Sequence, residues 1–320
     1  MHEKTMFTFK SLLRFAKHKN TTPSLADFVT KASTAMSSLS RQHRPATIKN
    51  YKTAITSLQR FAEMHAVFNQ PVSSDIMRQY EQWLKAQGIS PNTSSCYIRS
   101  LRSLYNALYP WGDKDIFRHL FTGNARTMKR ALPPEAMRQI IACQPPLTSP
   151  LRLWYDAFLF SVYALGMPFI DLAYLRWSDV SDGFINYRRH KTSQQISVPI
   201  TPEMSEIMDY YRSRTSDDLV FPILPSHDCP YHTYQHRLTQ YNFALKQIKD
   251  RALIKQNLTS YVARHTWASL ANSVGVSLSH ISQALGHADI GTTQIYLNHV
   301  STEEITADSL AVTQLIIKKK

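Results

Sequence analysis

Two adjacent prolines, Pro133-Pro134, divide this chain of 320 residues, and no helix runs through such a pair. Each proline removes a backbone donor and crowds the turn before it. Apolar periodicity also weakens ahead of them, over residues 112–134, which hold Gly112, Gly123 and the basic residues Arg126, Lys129 and Arg130. That stretch is expected to be a linker. The division predicts a short segment over 1–20, a first domain over 21–111 and a second over 135–320, and the length suits two ordinary domains.

The first domain reads as helices. From Ala46 to Ala62 the residues Ile48, Tyr51, Ile55, Leu58 and Phe61 recur at spacings of three and four, with Lys49, Lys52 and Arg60 off that stripe. A second helix is expected from Ser74 as N-cap, burying Ile76, Tyr80, Trp83 and Leu84. Gly88 supports a turn, and Ser90-Pro91 supplies a cap with proline in the first helical position. The third helix then buries Tyr97, Ile98, Leu101, Leu104, Tyr105 and Leu108, leaving Arg99 and Arg102 for solvent or phosphate. Residues 24–39 suit one more helix, and residues 1–18 a short basic and aromatic element.

The second domain opens with a helix over Pro134–Ala142 and a strongly apolar one over Pro150–Leu165, carrying Trp154, Phe158, Leu159, Val162 and Tyr163. A hairpin follows. Gly183 to Arg189 is a strand candidate, His190 to Gln194 a turn, and Gln195 to Ile200 the return strand. From Tyr234 to Leu310 the pattern is helical again. The fold class expected is therefore mainly α with a small antiparallel β-sheet.

Lysine and arginine number 37 against 23 acids, a net charge of +14, which favours a polyanionic partner without choosing between DNA and RNA. Cys96, Cys143 and Cys229 are odd in number and far apart, so a reducing, cytoplasmic setting is expected rather than a disulfide framework. No apolar stretch approaches a membrane span, and no signal-type apolar run opens the chain. His227, His232 and His236 lie near Cys229 without zinc-ligand spacing, so neither metal nor cofactor is expected.

The chemistry concentrates near the far end. Leu285-Gly286-His287 is followed nine residues later by Tyr296, in Gly291-Thr292-Thr293-Gln294-Ile295-Tyr296, and Arg264 stands upstream in Tyr-Val-Ala-Arg-His-Thr. Breaking a phosphodiester without metal needs a nucleophile in line with the leaving oxygen, cations on the non-bridging oxygens, and an acid for the departing 5′-hydroxyl. A tyrosine nucleophile keeps the bond energy in a phosphotyrosine. An arginine can clamp a phosphate through two donors. This constellation resembles the tyrosine recombinase, or phage integrase, family. The resemblance is specific over residues 135–300 and reaches 20–110 only as helical pattern.

The resemblance implies Tyr296 as nucleophile, with Arg264 and His287 on the scissile phosphate. It implies Lys191, at the hairpin turn, as the acid that protonates the leaving 5′-oxygen. It also implies a helical core-binding domain followed by the catalytic domain, closing as a clamp on double-stranded DNA. The reaction would be site-specific exchange of the integrase or invertase type through 3′-phosphotyrosine links, in a tetrameric synapse, with accessory DNA-bending or directionality proteins as further partners. Lys49, Lys52, Arg99, Arg102, Lys129 and Arg130 are the expected DNA contacts.

Two positions depart from the family pattern. Aligned on Gly166 and Asp171-Leu172, the arginine of the usual Gly-Leu-Arg-x-x-Glu-Leu falls on Pro168. The histidine of His-x-x-Arg is replaced by Tyr261, which can donate one neutral hydrogen bond or simply pack. Arg189 can restore the missing charge, because a strand's period of two would aim it and Lys191 at one face; Arg176 is the weaker substitute. Gly166-Met-Pro-Phe169 and Thr259-Ser-Tyr-Val-Ala-Arg-His265 resemble a branch found on mobile elements and phase-variation switches that dispenses with the first arginine. A catalytically degenerate DNA-binding protein, a type IB topoisomerase and an RNA-binding module remain alternatives.

Overall fold

The computed structural model describes residues 22–40, 44–125, 131–215 and 217–286, and it divides the chain into two compact units at Arg126/Thr127. The expected contacts Lys129 and Arg130, and the expected site residues His287 and Tyr296, lie outside the described residues.

The first unit is built from four helices: α1 (Leu25–Leu39), α2 (Pro45–Met64), α3 (Ser74–Ala86) and α4 (Pro91–Leu108). Serine caps start three of them. The hydroxyls of Ser24, Ser73 and Ser90 accept from the N–H groups of Asp27, Ile76 and Thr93, satisfying donors that a helix start leaves open. The cap of α3 is thus Ser73, one residue earlier than its sequence suggests. The core is the expected stripe, with Ile48, Tyr51, Leu58, Phe61, Tyr80, Leu101 and Tyr105 buried. Trp83, Tyr97 and Leu108 pack only on its margin.

The linker expectation needs correction. A single 3-10 turn over Asp115–Phe117 folds back, and Ile116, Phe117 and Leu120 join the first core. The apolar triplet is too short to show a period, yet burying each such side chain contributes about 1.5–3 kcal/mol, enough to hold the segment down. At the other end, Leu132 belongs to the second core.

The second unit comprises α5 (Pro134–Ala142), α6 (Arg152–Tyr163), α7 (Phe169–Ala173), β1 (Val180–Ser181), β2 (Phe184–Arg188), β3 (Gln195–Pro199), α8 (Pro202–Tyr211), α9 (Tyr231–Arg251), α10 (Val262–Ser273) and α11 (Leu278–Ala284). Helix α6 is apolar nearly all round because it is central, with α7, α8, α9 and α10 packed on it. It is shorter than expected. Leu165 and Gly166 take φ of +57° and +71°, and two left-handed residues in succession stop the helix. The three strands form an antiparallel sheet in the order β1-β2-β3. Ile185 faces Val198 and Tyr187 faces Ile196, and all four are buried, so one sheet face completes the core. Neither β1 nor α8 is evident from the sequence pattern. Among the described residues no helix is long and apolar enough to cross a membrane.

Candidate active site

The alternation along β2 carries one residue past the strand's end. Ile185, Tyr187 and Arg189 all point inward, and Arg189 is only 6% exposed. Its backbone closes the hairpin: the Arg189 N–H donates to Gln194 O at 2.9 Å, and the Ser193 N–H donates to Arg189 O at 2.8 Å. Lys191 lies beyond this closure, exposed in the turn. Arg189 and Lys191 therefore do not share the expected strand face, because the strand period ends at the turn. The inward aim of Arg189 stands on the geometry itself.

Arg264 occupies the first turn of α10 and is 2% exposed. Its Nη1 donates to Gly166 O at 3.2 Å and its Nη2 donates to Leu285 O. Arg189 Nη1 donates to the same Leu285 O at 2.7 Å and to Gly286 O at 2.9 Å. Two guanidiniums from different elements thus meet on the main chain that leads directly into His287. Leu285 is the C-cap of α11, where carbonyls lack intrahelical partners and carry partial negative charge. Asp171, 3% exposed on α7, stands beside the pair with Oδ2 3.7 Å from Arg189 Nε. Burial pushes the Tyr187 phenol well above its ordinary range; the Asp171 carboxylate adds to this, and Arg264 and Arg189 oppose it. That phenol is a neutral wall of the site.

Two glycines permit the convergence. A Cβ at Gly166 would stand 2.8 Å from Arg264 Cα, and one at Gly286 would stand 2.7 Å from Ile196 Cδ1 and 2.8 Å from Arg189 Cδ. Both have positive φ, +71° and +60°. Gly166→Ala combines a backbone clash with left-handed strain, so it is expected to cost about 2–4 kcal/mol. Gly88 has φ of +71° as well but nothing within 4 Å of the added methyl. Gly88→Ala should therefore shift the melting temperature clearly less, which a thermal scan of both variants measures.

Pro168 is the N-cap of α7 and brings no cation from the position where the family pattern has arginine. Arg176 is held through its main chain, bridged to Leu219 and donating its N–H to Asp179 Oδ2 at 3.0 Å. Tyr261 is the N-cap of α10, 43% exposed, with its ring edge-on to His265 at 5.0 Å. In the first unit Lys49, Lys52 and Arg99 are exposed and Arg102 is half-buried. Among the described residues no group of three or more His, Cys, Asp or Glu side chains could hold a metal ion. Sequence reasoning missed Asp171 and His190 as members of the site. His190 Nδ1 lies 2.9 Å from Asp171 Oδ1, a contact between residues 19 apart in the chain.

Residues 130–303 match the phage integrase family, and residues 24–109 match the phage integrase SAM-like domain. The chain belongs to the phage integrase family. It is a tyrosine site-specific recombinase, an enzyme that breaks and rejoins DNA strands. Among curated relatives it is similar to the tyrosine recombinase XerD of Vibrio cholerae, 23% identical over 81% of this chain and 87% of that one. Its fold is that of the Tn1549 transposon integrase solved with transposon right-end DNA, with a TM-score of 0.66 at 14% identity over 91% of this chain and 100% of that one. It also matches a lambda integrase tetramer bound to a Holliday junction, with a TM-score of 0.64 at 14% identity over 90% and 84% of the two chains. The recombinase's mainly helical fold and small antiparallel sheet are those the sequence predicts.

Proposed function

We propose that this recombinase cuts DNA with Tyr296 and that Arg189 supplies the charge absent at Pro168. The observation carrying the reading is the meeting of Arg189 and Arg264 on the carbonyl of Leu285. Two fixed, buried guanidiniums ahead of His287 can receive a phosphate with little reorganisation. The Tyr296 phenol oxygen forms a bond to phosphorus as the bond to the 5′-oxygen breaks. Arg189, Arg264 and His287 stabilise the non-bridging oxygens, Tyr261 adds one neutral hydrogen bond, and Lys191 protonates the leaving oxygen. The 3′-phosphotyrosine then accepts a 5′-hydroxyl from another strand. On this reading the chain belongs to the mobile-element branch that lacks the first arginine.

Exchange proceeds two strands at a time in a tetramer on two double-stranded sites, as the lambda relative's tetramer on a junction suggests. Lys49, Lys52, Arg99 and Arg102, with Lys129 and Arg130, contact phosphates, so affinity falls steeply with salt. The test uses a supercoiled plasmid carrying two copies of the DNA that flanks the recombinase's own gene. A recombinant plasmid of defined size is expected. A ladder of relaxed topoisomers from any DNA would instead indicate a type IB topoisomerase, and binding without either product an inert binder.

A further inference from the structure

Lys191 is preceded by a residue that is tied down twice by the same buried atom. The His190 backbone N–H donates to Asp171 Oδ1 at 2.9 Å, and His190 Nδ1 lies 2.9 Å from that oxygen. An ionised carboxylate only accepts, so Nδ1 carries the hydrogen. Asp171 is itself nearly inaccessible on α7, with its other oxygen facing Arg189. The imidazole is 40% exposed and its outer side packs near the Tyr174 ring, centroids 5.1 Å apart. On the far side of the turn, Thr192 Oγ1 donates to Gly286 O at 3.4 Å.

The turn holding Lys191 is thus pinned on both sides, and the stronger pin is His190 on Asp171. We infer that His190 is a positioning residue: its side-chain donor fixes the main chain from which Lys191 reaches the leaving 5′-oxygen. This rests on the proposed role of Lys191 as general acid. The device explains why one buried carboxylate faces both Arg189 and His190, setting the phosphate cation and the acid from a single fixed point. A side chain that acts this way needs a donor at the Nδ1 position.

Cleavage is measured in single turnover on two substrates, an ordinary nicked duplex and one with sulfur replacing the bridging 5′-oxygen. A thiolate leaves without an acid. Displacing the acid should slow His190→Ala by about 10- to 100-fold on the ordinary substrate. The sulfur substrate should return it to within about threefold of wild type, as it should Lys191→Ala, whose protonation step it bypasses. His190→Asn, whose amide nitrogen replaces Nδ1, should cleave the ordinary substrate within about threefold of wild type. Gel shifts and thermal melts confirm folding and binding for each variant.

Three results would overturn the inference: an undiminished His190→Ala, a His190→Ala defect that sulfur does not relieve, or a His190→Asn as slow as His190→Ala. Failure of sulfur to relieve Lys191→Ala would instead remove the general-acid reading on which the inference rests.

Discussion

Arg189→Ala is expected to slow strand cleavage by about 10²–10³-fold while leaving DNA affinity within a few-fold, since losing one fixed donor to a developing oxyanion costs about that much. The guanidinium is buried, fixed by two carbonyls, and shares one of them with Arg264. It contributes little surface to a DNA interface, so binding should survive. Arg189→Lys should be nearly as slow, because a single ammonium cannot satisfy Leu285 O and Gly286 O and still present a fork to phosphate. Arg176→Ala serves as the contrast. Its bridge to Leu219 and its N–H bond to Asp179 are main-chain contacts that alanine keeps, and its charge acts on the exposed Asp217 rather than on Arg264 or Arg189, so cleavage should stay close to wild type. Single-turnover cleavage of a nicked duplex, with gel shifts alongside, measures all three. Cleavage by Arg189→Ala within about threefold of wild type would exclude it as the replacement cation, since no donor effect of the usual size would remain.

Tyr296→Phe is expected to abolish the covalent protein–DNA adduct. Phenylalanine lacks only the phenol oxygen, so binding and folding should be unchanged while the nucleophile is gone. A nicked, end-labelled duplex traps the adduct because the short fragment bearing the freed 5′-hydroxyl diffuses away after cleavage. On a denaturing gel the wild type should give a shifted, protease-sensitive band, and the variant none. A band of undiminished intensity from Tyr296→Phe would place the nucleophile elsewhere. No band from either protein, with sequence-specific binding intact, would mean a site that has lost its chemistry.

Much of this was readable from residue order, and the exceptions have a common cause. The stripes of α2 and α4, the proline caps and the β2–β3 hairpin follow from local periodicity and turn chemistry, which neighbours in sequence control. For Arg189 the sequence offers only a strand period shared with Lys191, and that period ends before Lys191; the inward placement of Arg189 beside Ile185 and Tyr187 comes from the fold. Asp171 and His190 are 19 residues apart, and nothing in either one's local pattern announces their pairing; only the folding of α7 against the hairpin turn creates it. Likewise Gly166 and Gly286 stand in the sequence only as an alignment anchor and a member of Leu-Gly-His. Their close approach to Arg264 and Arg189 is a tertiary fact. The return of Ile116, Phe117 and Leu120 to the first core was hidden because three apolar residues in a Gly-containing stretch carry no period.

The central claim is that Arg189 stabilises charge on the scissile phosphate in place of the arginine absent at Pro168. The most direct measurement compares wild type and Arg189→Ala on two substrates that differ only at that phosphate, one a normal phosphodiester and one a methylphosphonate. The methyl group removes the negative charge that an arginine would neutralise. If Arg189 acts on that charge, the deficit of about 10²–10³-fold should shrink to within about tenfold on the neutral substrate. A deficit of the same size on both substrates would show that Arg189 only props the Leu285–Gly286 turn and would contradict the account.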